Sequence, residues 1–171
     1  MKYSKIIFPF LLAALLVTGC RPEDFKDIGE PREIPSSFAG AWKLSKVTQV
    51  DEDAKGKGFP AFVSELDLTN VFPYTQFALT LNINSNGSPT TFTSNAGSSP
   101  AIINFSSGNW TVDNWDAPTA LVFKQGAATQ TVTLGAFPTG GNTKLKFKIE
   151  RRDPGNNNKL LISYTYEFTK Q

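Results

Sequence analysis

Lys144-Leu145-Lys146-Phe147-Lys148-Ile149 and Leu160-Leu161-Ile162-Ser163-Tyr164-Thr165-Tyr166-Glu167-Phe168 are the two runs on which the fold turns. In the first, Leu145, Phe147 and Ile149 face one way and the lysines the other. In the second, Leu160, Ile162, Tyr164, Tyr166 and Phe168 share a face opposite Leu161, Ser163, Thr165 and Glu167. A period of two with one dry and one wet side marks antiparallel sheet. Asp153-Pro154-Gly155-Asn156 between the runs reads as a hairpin loop. A slip of one residue would bury Glu167 unpaired, so the register is specified.

The same period extends back to Gln76. Phe77, Leu79 and Leu81 alternate with Ala78, Thr80 and Asn82, and Asn86-Gly87 is a tight-turn signal. Further strands are expected at Thr90–Thr93, Ala101–Phe105, Trp110–Val112, Thr119–Lys124 and Thr129–Phe137. Turns rich in Gly, Asn and Pro separate them. Before Gln76, Trp42 to Val47 reads as a strand, with Trp42, Leu44 and Lys46 on one side and Lys43, Ser45 and Val47 on the other. Asp51-Glu52-Asp53 ends it and Lys55-Gly56-Lys57-Gly58 is expected to be a flexible loop. Phe62 to Phe72 permits a short helix or helical turn before Pro73. About eight short strands of this kind predict an all-β fold: a single small antiparallel up-and-down β-barrel with at most one short helix. A barrel of that size is filled by its own side chains or holds one small ligand. With Tyr164, Tyr166 and Phe168 facing inward, the interior is expected to be mostly filled, and binding to fall at the open end or on outer loops such as Asp113–Pro118.

The N-terminus has a separate character. Met1 to Lys5 carries Lys2 and Lys5, and Ile6 to Val17 is apolar apart from Pro9. This is a charged start followed by an apolar core of signal-peptide length, too short to span a membrane as a helix. Val17-Thr18-Gly19-Cys20 resembles the lipobox of bacterial lipoproteins, which implies cleavage before Cys20 and a diacylglycerol thioether on its sulfur. The alternative, an ordinary secretory signal, would leave the chain's one cysteine as an odd free thiol. Residues 1–19 are thus expected to be a lipoprotein signal peptide, 20–35 a lipid anchor and tether, and 36–171 the barrel domain. Arg21 to Pro35 is charged, holds Pro22, Pro31 and Pro35, and lacks an apolar period, as a spacer would. Glu23 and Asp24 resemble the acidic signal that sends some Gram-negative lipoproteins to the outer cell face.

Composition removes several functions. Loss of Lys2 and Lys5 takes the 17 basic residues to 15 (17 minus 2), against 15 acidic, so the mature chain is near neutral and no nucleic-acid partner is expected. The chain has no histidine and a single cysteine, which excludes Ser-His-Asp and Cys-His catalysis and His-based zinc sites. No cofactor is expected. Asp51, Glu52 and Asp53, and likewise Asp113, Asn114 and Asp116, offer oxygens to a hard cation but lack the alternating spacing of a dedicated loop. They read instead as a solvated strand end and as turn formers beside Pro118.

The start of the domain carries a resemblance. Gly40-Ala41-Trp42 resembles the Gly-x-Trp signature of lipocalin-like barrels, in which the tryptophan closes the barrel floor. Gly40 to Gln49 with Asp51–Asp53, Asp67-Leu68-Thr69 before Phe72-Pro73, Gly108-Asn109-Trp110 and the ending Tyr164, Tyr166, Phe168 are similar to a family of lipocalin-like lipoproteins of uncharacterised function. The likeness covers most of Phe38 to Gln171. It implies a barrel, a buried Trp42 and a cell-envelope address, with no activity attached.

Four aromatic residues are candidate ligand contacts. Trp115 lies in a polar turn, where a large ring is unusual unless something covers it. Trp110 begins a strand; its alternative is core packing. Tyr164 and Tyr166 either line a cavity or fill the barrel. The expected function is a non-enzymatic binding or interaction module, anchored to the outer membrane through lipidated Cys20. The alternatives are a carrier of a small apolar or glycan ligand, and an accessory subunit that contacts a protein partner in an outer-membrane assembly. A cavity of several hundred Å³ with a few polar groups favours the carrier; an exposed apolar patch over a filled barrel favours the subunit.

Overall fold

A computed structural model describes residues 34–138 and 143–171. The signal segment, Cys20 and the tether as far as residue 33 lie outside the described residues. The described residues begin with helix α1 (Ile34–Ser37) and then strand β1 (Gly40–Asp51). Helices α2 (Glu52–Gly56) and α3 (Ala61–Ser64) and strand β2 (Glu65–Asp67) follow, and a 3₁₀ turn at Tyr74–Gln76 leads into the sheet. That sheet continues with β3 (Ala78–Ile83), β4 (Pro89–Asn95), β5 (Ser107–Val112), β6 (Ala120–Gln125), β7 (Ala128–Ala136), β8 (Lys144–Asp153) and β9 (Lys159–Lys170).

Every neighbouring pair is antiparallel, and β1 pairs with both β3 and β9, so the sheet closes on itself. Of the nine strands, β2 is an appendage on β1, which leaves eight in the ring. The protein is therefore a small lipocalin-like up-and-down β-barrel. Closure removes the sheet edges that an open β-protein must protect.

The two runs that decide the fold form the β8–β9 hairpin in the expected register, with Leu145 opposite Phe168 and Phe147 opposite Tyr166. Phe77, Phe168, Phe147, Phe123 and Phe92 form a chain of rings through the interior, with centroid separations from 4.8 to 6.4 Å. Each such side chain, fully buried, contributes about 1.5–3 kcal/mol. On the wet face, Glu167 lies opposite Lys146, 2.8 Å away, and also meets Lys144.

The barrel has a closed and an open end. At the closed end Trp42 is 1% exposed, donates from Nε1 to the Phe38 carbonyl at 2.8 Å and lies under the Lys170 ammonium. Phe38 packs against Trp110 and Phe137. The floor expected of Trp42 is thus built with help from the segment just before β1. Ile34 and Pro35, read from sequence as tether, belong to α1, and Pro35 is buried.

Other expectations need correction. Among the described residues, three short helices of four or five residues accompany the barrel where at most one was expected. Of the stretch Lys55–Gly58 read as a flexible loop, Lys55 and Gly56 close α2 and Lys57 and Gly58 form the turn after it; the helix starts at Glu52 because Asp51 caps it by accepting from the Ala54 N–H at 2.9 Å. In β1 the alternation breaks at a bulge between Leu44 and Lys46, so Val47 rather than Lys46 joins Trp42 and Leu44 in the core. Ala101–Phe105 is a loop, not a strand. The consecutive Ile102 and Ile103 are both buried there, a pattern no half-buried strand produces.

Candidate functional site at the barrel mouth

One rung of the barrel sets the site. Gln49 on β1 and Ile149 on β8 both lie opposite Tyr164 on β9. Tyr166 follows Tyr164 on the same face of β9, two residues deeper, and Arg151 follows Ile149 on β8 toward the rim. The segment between β2 and β3 folds across this rung. It is fastened to β1 at the bulge: the Leu68 N–H donates to the Val47 carbonyl at 2.8 Å, and the Val47 N–H donates to Thr69 Oγ1 at 3.0 Å. Pro73 then starts the single 3₁₀ turn that brings Tyr74 inward.

Together these residues enclose a cavity of about 380 Å³ that opens to solvent. Leu68, Phe72 and Tyr74 form one wall, Tyr164, Tyr166 and Ile149 another, and Pro100 and Ala101 of the β4–β5 loop close a side. The rings are in mutual contact. Phe72 meets Tyr74 edge-on at 5.7 Å, Tyr74 meets Tyr166 at 6.1 Å, and Tyr166 lies beside Tyr164 at 6.5 Å. The Arg151 guanidinium sits 5.9 Å from the Tyr164 ring centroid.

The electrostatics of this mouth are simple. Burial, and then the neighbouring Tyr74 and Tyr164, push the Tyr166 hydroxyl up to about 12, so it stays neutral at any ordinary pH. Arg151 is the one charged side chain in the lining. The nearby Glu150 carboxylate is engaged by Lys148 at 2.8 Å and Arg152 at 2.5 Å, and among the described residues no carboxylate pairs with Arg151. Arg151 and the Gln49 amide are therefore the groups that can meet a polar or anionic part of a ligand, while Phe72, Ile149 and the tyrosine rings meet an apolar part.

The sequence candidates separate in space. Tyr164 and Tyr166 reach the mouth. Trp110 does not: it is 2% exposed, donates from Nε1 to the Asn82 carbonyl at 2.8 Å, and is core, so it is no ligand contact. Trp115 is half-exposed but lies in the β5–β6 loop, at the same barrel end as Trp42 and away from the mouth. Gln49, Phe72, Tyr74 and Arg151 were missed. An aromatic pair flanking Pro73 just before the sheet was the available signal, because a proline-started turn aims its next residues at one place.

The acids considered for metal binding have other work. Asp53 pairs with Lys159 and Lys57, whose hydrogen bonds bring it down to about 2, and Glu52 accepts from the buried Ser163 hydroxyl at 2.5 Å. Asp113 accepts from the Thr119 hydroxyl at 2.5 Å and from the Thr119 and Ala120 N–H groups. Asn114 Oδ1 accepts from the Asp116 N–H at 2.9 Å.

A second exposed feature adjoins the mouth. Phe59, Phe62, Val63, Leu66, Val71 and Phe72 are all about half exposed or more, with Phe62 at 86%. They belong to the excursion from α2 to the 3₁₀ turn. No protein-family model matches this chain, and no curated protein matches it.

Proposed function

We propose that the protein is a lipid-anchored, non-enzymatic binding protein of the cell envelope that takes a small ligand in the barrel mouth. The cavity of about 380 Å³, with its tyrosine walls and an arginine that pairs with no carboxylate among the described residues, is the observation that carries this reading. Its size and lining suit a compact, partly aromatic or apolar molecule with a negative or hydrogen-bond-accepting group directed at Arg151. Asp53 is engaged by Lys159 and Lys57, Asp113 by the Thr119 hydroxyl and turn amides, and neither lines the mouth. Anchorage rests on the lipobox-like Val17–Cys20 alone, and the resemblance to lipocalin-like lipoproteins supports the same address.

A second reading follows from the exposed excursion. Several large apolar side chains on one surface segment are what a protein partner covers, as for an accessory subunit of an outer-membrane assembly. Titration with 1-anilinonaphthalene-8-sulfonate separates the two readings, because this probe is both aromatic and anionic. The mouth reading expects its emission to fall sharply in Arg151→Ala and Tyr164→Ala and to persist in Phe62→Ser. Emission that survives both mouth variants and is lost in Phe62→Ser refutes the mouth and leaves the excursion as the binding surface.

A further inference from the structure

The ring closes less completely than the strand lengths permit. β7 and β8 share a ladder only at Thr133–Lys148, Leu134–Phe147 and Ala136–Lys146. Yet β7 is paired with β6 from Ala128 onward, and β8 is paired with β9 as far as Asp153. Between residues 128–132 and 149–153 no ladder joins the two strands among the described residues. A groove of about 420 Å³ lies there, lined by Thr131, Val132, Thr133, Lys148, Ile149 and Glu150.

Each wall is held apart by contacts of its own. The β8–β9 hairpin is fastened to α2, where Lys159 pairs with Asp53 and the Ser163 hydroxyl donates to Glu52 at 2.5 Å. On the other wall the Gln130 side chain is fixed to the β4–β5 loop. Its Oε1 accepts from the Asn104 N–H at 2.7 Å and its Nε2 donates to the Ile102 carbonyl at 2.9 Å. The gap is thus built into the fold rather than left between two frayed ends.

The direction of the backbone groups follows from the register. The Leu134 N–H donates to the Thr119 carbonyl, on the β6 side. Even-numbered residues of β7 therefore point their backbone at β6, and odd-numbered Thr129 and Thr131 point theirs into the groove. Thr133 faces Lys148 across the last closed rung, so Glu150, two residues on, faces the groove as well. Thr129, Thr131 and Glu150 are exposed. An N–H and a C=O at every second residue on two facing edges form the complement of an extended backbone, and of little else.

We propose that this slot is a strand-addition site, which takes a short extended segment of a partner polypeptide between β7 and β8. Main-chain hydrogen bonds to Thr129, Thr131 and Glu150 would hold it, and an apolar side chain of the segment would point between Val132 and Ile149. The site is separate from the cavity proposed above for a small ligand, although Ile149 borders both.

Amide hydrogen exchange on the full chain tests this, with the pentapeptide acetyl-Thr-Val-Thr-Val-Thr-amide as probe. In the free protein the Thr129, Thr131 and Glu150 amides should exchange fast, while Gln130 and Ile149, whose partners are Phe123 and Tyr164, are protected. Millimolar peptide should slow the three groove amides by roughly tenfold or more, and the same peptide N-methylated at its central threonine should not. Thr131→Pro removes one groove N–H and should abolish the effect at Glu150 without lowering the melting midpoint; Thr131→Val should preserve it. Groove amides already protected in the free chain, no slowing by the peptide, or equal slowing by the N-methylated peptide overturns the proposal.

Discussion

Trp42 shows how much one residue can settle. Its position after Gly40 at the start of the first strand is enough to place a large ring at a barrel end, and the ring is buried there with its N–H satisfied by Phe38. Trp42→Ala should cost about 3–5 kcal/mol, read as a fall in the denaturation midpoint; an unchanged midpoint would count against a structural role. Trp110 was less legible, because a tryptophan that opens a strand looks the same in sequence whether its ring points inward or along the rim. Arg151 and Tyr74 were illegible for another reason. Their meaning comes from neighbours more than seventy residues away for Tyr74, and from a guanidinium that no carboxylate claims. Asp113 yields a pH prediction. Hydrogen bonds from the Thr119 hydroxyl first, and then from backbone N–H groups, bring its carboxyl down to about 2. An unfolded aspartate titrates near ~3.9. A depressed folded value means that its contribution is present above that pH and disappears as pH falls from about 4 to about 2. The β5–β6 loop should therefore loosen in that window. Trp115 is the one exposed tryptophan and sits in this loop, so its emission reports the change. Asp113→Asn should erase the transition, and persistence of the transition in that variant would assign it elsewhere.

At the scale of elements, strands with strict alternation were the readable part. β8 and β9 were placed with their register because slippage would bury Glu167. Elements defined by an interruption were not. The bulge in β1 rotates Val47 into the core, and nothing local in Leu44-Ser45-Lys46 announces it; the Ser45 hydroxyl settles the bulge by donating to the Glu167 carbonyl across the ladder at 2.9 Å. The helix α2 depended on Asp51 acting as a cap, a role shared in sequence with any strand-ending acid. The β4–β5 loop misled because Ala101-Ile102-Ile103 and Phe105, set between polar stretches, imitate a short strand. Gly108 is an element-scale constraint of the opposite kind, visible only in three dimensions. A Cβ at this position would lie 2.1 Å from the Lys124 carbonyl oxygen and 3.1 Å from the Phe92 ring. The clash is with backbone, so no rotamer relieves it, and β5 would have to move off β6. Gly108→Ala should destabilise the barrel by about 2–3 kcal/mol, at the upper end of overpacking costs. Gly126→Ala is the comparison, because the space around that Cβ is open, although its φ of 60° adds a modest strain of its own.

At the scale of the whole molecule, the barrel separates its two ends. α1 and Trp42 close the end at which β1 begins, and the cavity opens at the other, where the β1–α2 and β2–β3 connections and the β8–β9 hairpin meet. The proposed anchor and the proposed site can be tested in one experiment. Cys20 is the only cysteine, and Val17-Thr18-Gly19 before it resembles a lipobox. Mass spectrometry of the mature N-terminus should find Cys20 as the first residue, carrying a diacylglycerol. Two acyl chains at about 0.8 kcal/mol per buried CH₂ hold a protein stably on a membrane, whereas one alone is marginal. Cys20→Ala should remove that anchorage, so the protein should leave the membrane fraction or remain as uncleaved precursor. Because among the described residues no cavity residue lies before Gln49, the released Cys20→Ala protein should still bind 1-anilinonaphthalene-8-sulfonate as the lipidated form does, within the scatter of the titration. An unmodified thiol at Cys20, or a mature chain that starts at any other residue, would end the lipoprotein reading while leaving the mouth cavity to be judged on its own titration.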